Sequence, residues 1–88
     1  MVRFERATEC HQLELTDEPF DAVQNPDGST WVGFYRRGAD YILRFPGLAD
    51  FEVTEDGQGV RCTPVPGTAK STVEHLYHNQ VLPLALNQ

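Results

Sequence analysis

Tyr41-Ile-Leu-Arg-Phe-Pro-Gly-Leu-Ala-Asp-Phe-Glu-Val53 is the stretch on which the fold turns. It holds the densest apolar content in the first two thirds of the chain, and Pro46-Gly47 divides it in a turn-like step. The half before that step pairs backward with Trp31 to Arg36. Gly38-Ala39 suits a two-residue type II′ hairpin, with glycine at the first central position. In that register Arg37 faces Asp40, Arg36 faces Tyr41, Phe34 faces Leu43 and Val32 faces Phe45. Tyr35 and Ile42 then meet on the other face, so both faces carry apolar groups and this pair is expected to be covered at least partly on each side.

The half after the step pairs forward with Val60 to Thr63. Asp56-Gly57 is the favoured type I′ dipeptide, and a two-residue loop there sets Val53 against Val60, Phe51 against Cys62 and Glu52 against Arg61. One face becomes apolar and the other carries an ion pair. A one-residue slip would put Val53 against Arg61 and lose the match.

The flanks follow from these hairpins. Thr63-Pro-Val-Pro-Gly67 reads as a linker, because two prolines remove ladder donors from a central strand. Thr68 or Ser71 is placed to cap a helix, and Ser71-Thr-Val-Glu74 fits a capping box. Val73, Leu76, Tyr77, Val81 and Leu84 recur at helical spacing and form a stripe for the sheet, and Pro83 ends or kinks that helix. Residues 1–24 carry the weakest pattern: Gln12-Leu-Glu-Leu-Thr16 alternates as a strand would, and Pro19 among acidic residues reads as a loop or edge. Asn25-Pro-Asp-Gly-Ser29 is a turn. The expectation is an α+β domain spanning 1–88. It has an antiparallel β-sheet of about four strands, as two hairpins within 30–65, and one C-terminal helix over 69–82 packed on a face.

Eighty-eight residues with 7 basic and 13 acidic side chains make one small domain of net charge −6. That balance argues against a phosphate-backbone surface and against an anionic membrane, so neither nucleic acid nor membrane is an expected partner. No apolar run approaches the ~18 residues that span a bilayer. The N-terminus lacks the apolar core of a signal peptide, which makes the cytoplasm the expected compartment. Two cysteines there, Cys10 and Cys62, read as free thiols, with Cys62 a small buried hydrophobe.

The residues do not assemble a catalytic set. Gly57-Gln58-Gly59 lies in a hairpin with no following Lys-Ser/Thr, so it is no phosphate loop. Cys62 has no His or Asn at a nucleophile's spacing. Glu74 and His78 are one helical turn apart and share a face, which offers a metal edge; His75 sits beside them, and a solvated helix face is the simpler reading. Glu14, Asp17, Glu18 and Asp21 read as a solubilising acidic edge before they read as a cation site. His11 has no partner in sequence. No catalytic, cofactor-binding or metal residue is assigned, and no cofactor.

Tyr41-Ile-Leu-Arg-Phe-Pro-Gly-Leu-Ala-Asp-Phe, Asp56-Gly, Val60-Arg-Cys-Thr-Pro-Val-Pro-Gly67, His75-Leu and Gln80-Val-Leu-Pro-Leu-Ala-Leu86, in that order, resemble the N-terminal region of bacterial HPr-serine-kinase-like P-loop proteins. The likeness runs over roughly residues 17–86. In such proteins this β-rich region precedes a strand and the phosphate-binding loop, and the present sequence ends before the equivalent point. The resemblance therefore implies a non-catalytic accessory or substrate-presenting domain that does not bind ATP. The alternative from the residues alone is a free-standing module that binds a protein or peptide through an open sheet edge or a dimer surface. Val81, Leu82, Leu84 and Leu86 crowd the C-terminus with apolar groups, and a homodimer with this tail at its interface is a further expectation.

Overall fold

The computed structural model describes residues 2–12 and 19–83. Six strands form one sheet: β1 (Arg3–Arg6), β2 (Asp21–Gln24), β3 (Thr30–Arg37), β4 (Asp40–Phe45), β5 (Ala49–Val53) and β6 (Gly59–Pro64). Their order is β1-β6-β5-β4-β3-β2. A helix, α1 (Lys70–Leu76), runs directly into a wider π-helical segment, Tyr77–Val81. The expectation of about four antiparallel strands is overturned: the sheet has six, and it is mixed, because β1 pairs with β6 in parallel. The two strands beyond the hairpins are the sheet's edges. Each is four residues long and almost wholly exposed, so neither shows the alternation that marks a half-buried strand.

The hairpins themselves keep the expected registers. Arg37 faces Asp40 and Phe34 faces Leu43 across β3 and β4. Phe51 faces Cys62 and Val53 faces Val60 across β5 and β6. Between them Pro46-Gly47 makes a turn closed by Leu48 N–H to the Phe45 carbonyl at 2.9 Å. Gly47 takes a φ of +76°, the left-handed value a type II turn demands after proline.

Three local details differ from the sequence reading. The β5–β6 turn is not type I′, which needs positive φ at both central residues. Only Gly57 has it, at +72°, and among the described residues no non-glycine residue does. Instead Gly57 N–H donates to the Thr54 carbonyl at 2.9 Å, and Thr54 N–H to the Gly59 carbonyl at 3.0 Å closes a longer turn in the same register. Glu52 and Arg61 do lie opposite each other. Their nearest charges are elsewhere, however: Glu52 is 3.9 Å from Arg37, and Arg61 is 3.9 Å from Glu5. Thr63-Pro64 belongs to β6 and is no linker. Pro64 is tolerated as the strand's last residue, past the end of β1, where its carbonyl accepts Cys10 N–H at 3.0 Å.

The core lies on one face. Leu43, Phe45, Phe51, Val53, Val60 and Cys62 meet Val73, Leu76, Tyr77 and Val81 there, as the helical stripe predicts. Leu84, the last residue of that stripe, lies outside the described residues. The helix starts at Lys70 with Ala69 as its N-cap and no side-chain cap bond, so the Ser71–Glu74 capping box does not form. Thr68 does not cap either: its hydroxyl donates to the Leu48 carbonyl at 2.9 Å and ties the linker to the β4–β5 turn.

Gly57→Val is expected to cost about 1 kcal/mol or more, because a β-branched residue resists the positive φ of that turn. A thermal melt checks it. An unchanged midpoint would show that the turn tolerates valine and does not hold the hairpin.

Candidate functional site

The face away from the helix is a ladder of charge. Glu5, Arg61, Glu52 and Arg37 form two loose pairs at 3.9 Å. Arg44 and Asp50 form a tight one: Nε to Oδ1 is 2.8 Å and Nη2 to Oδ2 is 2.9 Å, with the side chains only 15% and 20% exposed. Hydrogen bonding to Asp50 raises the Arg44 guanidinium still further above its ordinary value. Gln12 completes this node. Its amide N–H groups reach the Phe45 carbonyl and Asp50 Oδ1, both at 3.1 Å, and its oxygen accepts Gly47 N–H at 2.9 Å. One side chain thus pins the N-terminal segment, the β4–β5 turn and the ion pair together.

Two hollows open on this face. One, of about 360 Å³, is lined by Arg3, Glu5, Asp40, Glu52 and Arg61. The other, of about 170 Å³, is lined by Cys10, His11, Arg37, Arg44, Asp50 and Glu52. Both carry both signs of charge, so neither focuses a field that would select an anion or a cation.

The residues singled out in the sequence do not converge. Glu74, His75 and His78 are exposed on the helix. The His75 ring nitrogen lies 3.2 Å from the Asn79 amide, and the His78 ring packs at 5.1 Å from Tyr77. Among the described residues no three His, Cys, Asp or Glu side chains are placed to hold a metal ion. Of the acidic run, Glu14, Asp17 and Glu18 lie outside the described residues, and Asp21 begins β2. Among the described residues no helix is long and apolar enough to cross a membrane.

Cys10 is exposed and Cys62 buried, and both are free. Burial pushes the Cys62 thiol up to about 11, so it stays protonated at neutral pH. Native protein treated with iodoacetamide at pH 8 is therefore expected to gain one adduct, at Cys10. Equal labelling of Cys62, read by mass spectrometry, would contradict its place in the core.

The feature that stands out is the contrast between the two sheet edges. The β1 edge carries Arg3, Glu5 and Arg6, the charged kind of edge that discourages strand addition. Its one apolar residue, Phe4, is turned onto the Tyr77 ring at 4.2 Å. The β2 edge, Asp21-Ala-Val-Gln24, has one charge. Val23 is 49% exposed there, and Phe20, just before the strand, is 60% exposed. Phe20 continues inward as an aromatic patch, 6.3 Å from both Phe34 and Tyr41, with the Arg36 guanidinium 5.0 Å over the Tyr41 ring.

A bulge sits beside this patch. Val23 pairs with Val32 and Gln24 with Thr30, which leaves Trp31 as the extra residue. The bulge lets Trp31 pack edge-on against Phe45 at 5.5 Å on the core face. Sequence reasoning named an open edge as a binding device without locating it. The exposed Phe20 and Val23 beside a turn cluster were the available signal.

Of the four apolar tail residues, Val81 is buried and Leu82 packs partly on the chain's own core. Leu84 and Leu86 lie outside the described residues.

The chain was compared with family models, curated proteins and solved structures, and none matches.

Proposed function

We propose that this chain is a non-catalytic protein-binding module that works through the β2 edge of its sheet. One observation carries the reading: β2 exposes Phe20 and Val23 beside an aromatic patch, whereas the opposite edge is charged. An extended segment laid along β2 would gain main-chain hydrogen bonds, and its alternate side chains would rest on Phe20 and Phe34. The same class of role, an accessory or substrate-presenting domain, is what the resemblance to the front of HPr-serine-kinase-like proteins implies.

The test is a library of seven-residue peptides with alternating apolar positions, titrated into labelled protein. Binders are expected to shift the amides of residues 20–24 and 30–34 and to lose affinity in Val23→Lys. Binders whose shifts map to the charged face, or a library with no binders, would contradict the proposal.

A further inference from the structure

We infer that the strand received by the β2 edge is β2 of a second copy, so that two sheets join into one across a two-fold axis. This rests on the reading of β2 as the adhesive edge and adds the occupant and its register.

Backbone geometry fixes which groups are available. In an antiparallel pair, alternate residues turn their N–H and C=O toward one neighbour or the other. Asn25 N–H bonds the Ser29 carbonyl at 2.8 Å, which sets Val23 and Asn25 facing β3. Ala22 and Gln24 then face outward. In agreement, Ala22 N–H is taken up by a side chain, the Asp21 carboxylate at 2.8 Å.

A two-fold axis normal to the sheet keeps like faces together. Centring it on Val23 brings Ala22 opposite Gln24 of the second copy, and the reverse, making two reciprocal pairs of main-chain hydrogen bonds. Val23 meets its own copy as a close non-hydrogen-bonded pair, covering an aliphatic side chain now half in water. Asp21 falls opposite the neutral Asn25 of the second copy, so the junction opposes no like charges in a chain of net charge −6. The Asp21 carboxylate gives up Ala22 N–H as the strands meet. Both helices of the dimer then lie on one side of the joined sheet.

Sedimentation velocity across a wide concentration range reads the association directly. The wild type is expected to become dimeric with rising concentration, and Val23→Lys to weaken association by at least about tenfold while keeping the melting temperature that the wild type shows when dilute and monomeric. Register is read by crosslinking in a Cys10→Ser background. Val23→Cys is expected to oxidise to a symmetric disulfide, and Ala22→Cys, whose copies lie diagonally across the junction, is not. A wild type that stays monomeric, or a dimer indifferent to Val23→Lys, overturns the inference. So does faster crosslinking at Ala22 than at Val23. A monomer that still binds peptides along β2 would leave the edge reading standing and remove only the second copy as its occupant.

Discussion

Phe51→Ala is expected to remove about 3–5 kcal/mol of stability, the cost of emptying a phenylalanine site in a packed core. Phe51 is fully buried in β5, between Leu43 on β4 and Cys62 on β6, with its ring edge-on to Phe45 at 5.7 Å. It touches the sheet's middle and the underside of the helix at once, so no single neighbour can move in to fill the space. Small domains hold only about 5–15 kcal/mol in total, and a chain of this length sits toward the low end. The variant should accordingly be largely unfolded at 25 °C or unfold with little urea. Urea denaturation followed by circular dichroism measures this. A loss below about 1 kcal/mol would mean that the face under the helix is not the core.

Asp50→Ala is expected to cost about 2 kcal/mol, through a different mechanism. The carboxylate accepts from both Arg44 and Gln12, and each of those groups is partly buried. Removing it strips acceptors from a guanidinium that stays charged at any working pH, and it loosens the Gln12 clamp on the β4–β5 turn. Asp50→Asn should recover part of the loss, since an amide oxygen can still accept. Chemical denaturation of the three proteins gives the order wild type, Asn, Ala. An Ala variant as stable as the wild type would show that the pair is only a solvated contact.

What was legible in the sequence was the part written in local pairs. The registers of both central hairpins could be read because Gly38-Ala39 and Asp56-Gly57 mark the turns, and because a slip would set Val53 against Arg61. The edges were not legible. β1 reads Arg-Phe-Glu-Arg and pairs in parallel with a strand far along the chain, so no turn announces it. Among the described residues β2 has a single sheet neighbour, and it has little to bury. Two rules misled by being applied too broadly. Proline does exclude a residue from the middle of a ladder, yet Pro64 needs no donor at the strand's last position. Ser71 and Glu74 have capping-box spacing, yet the helix already includes Ser71. The Gln12 clamp was hidden because its partners, Phe45, Gly47 and Asp50, are joined only by the fold. The same holds for the candidate site: an adhesive edge is a relation between β2, the bulge at Trp31 and the aromatic patch, and only Phe20 and Val23 hint at it in sequence.

Amide hydrogen exchange along the two edge strands tests the central claim most directly, comparing dilute protein with protein whose edge is filled by a bound peptide or by high concentration. The account predicts that Gln24 exchanges freely when dilute, that Ala22 is held only by the exposed Asp21 carboxylate, and that both slow markedly on filling, while Arg3 to Arg6 do not change. Slowing along β1 with β2 unaffected would contradict it.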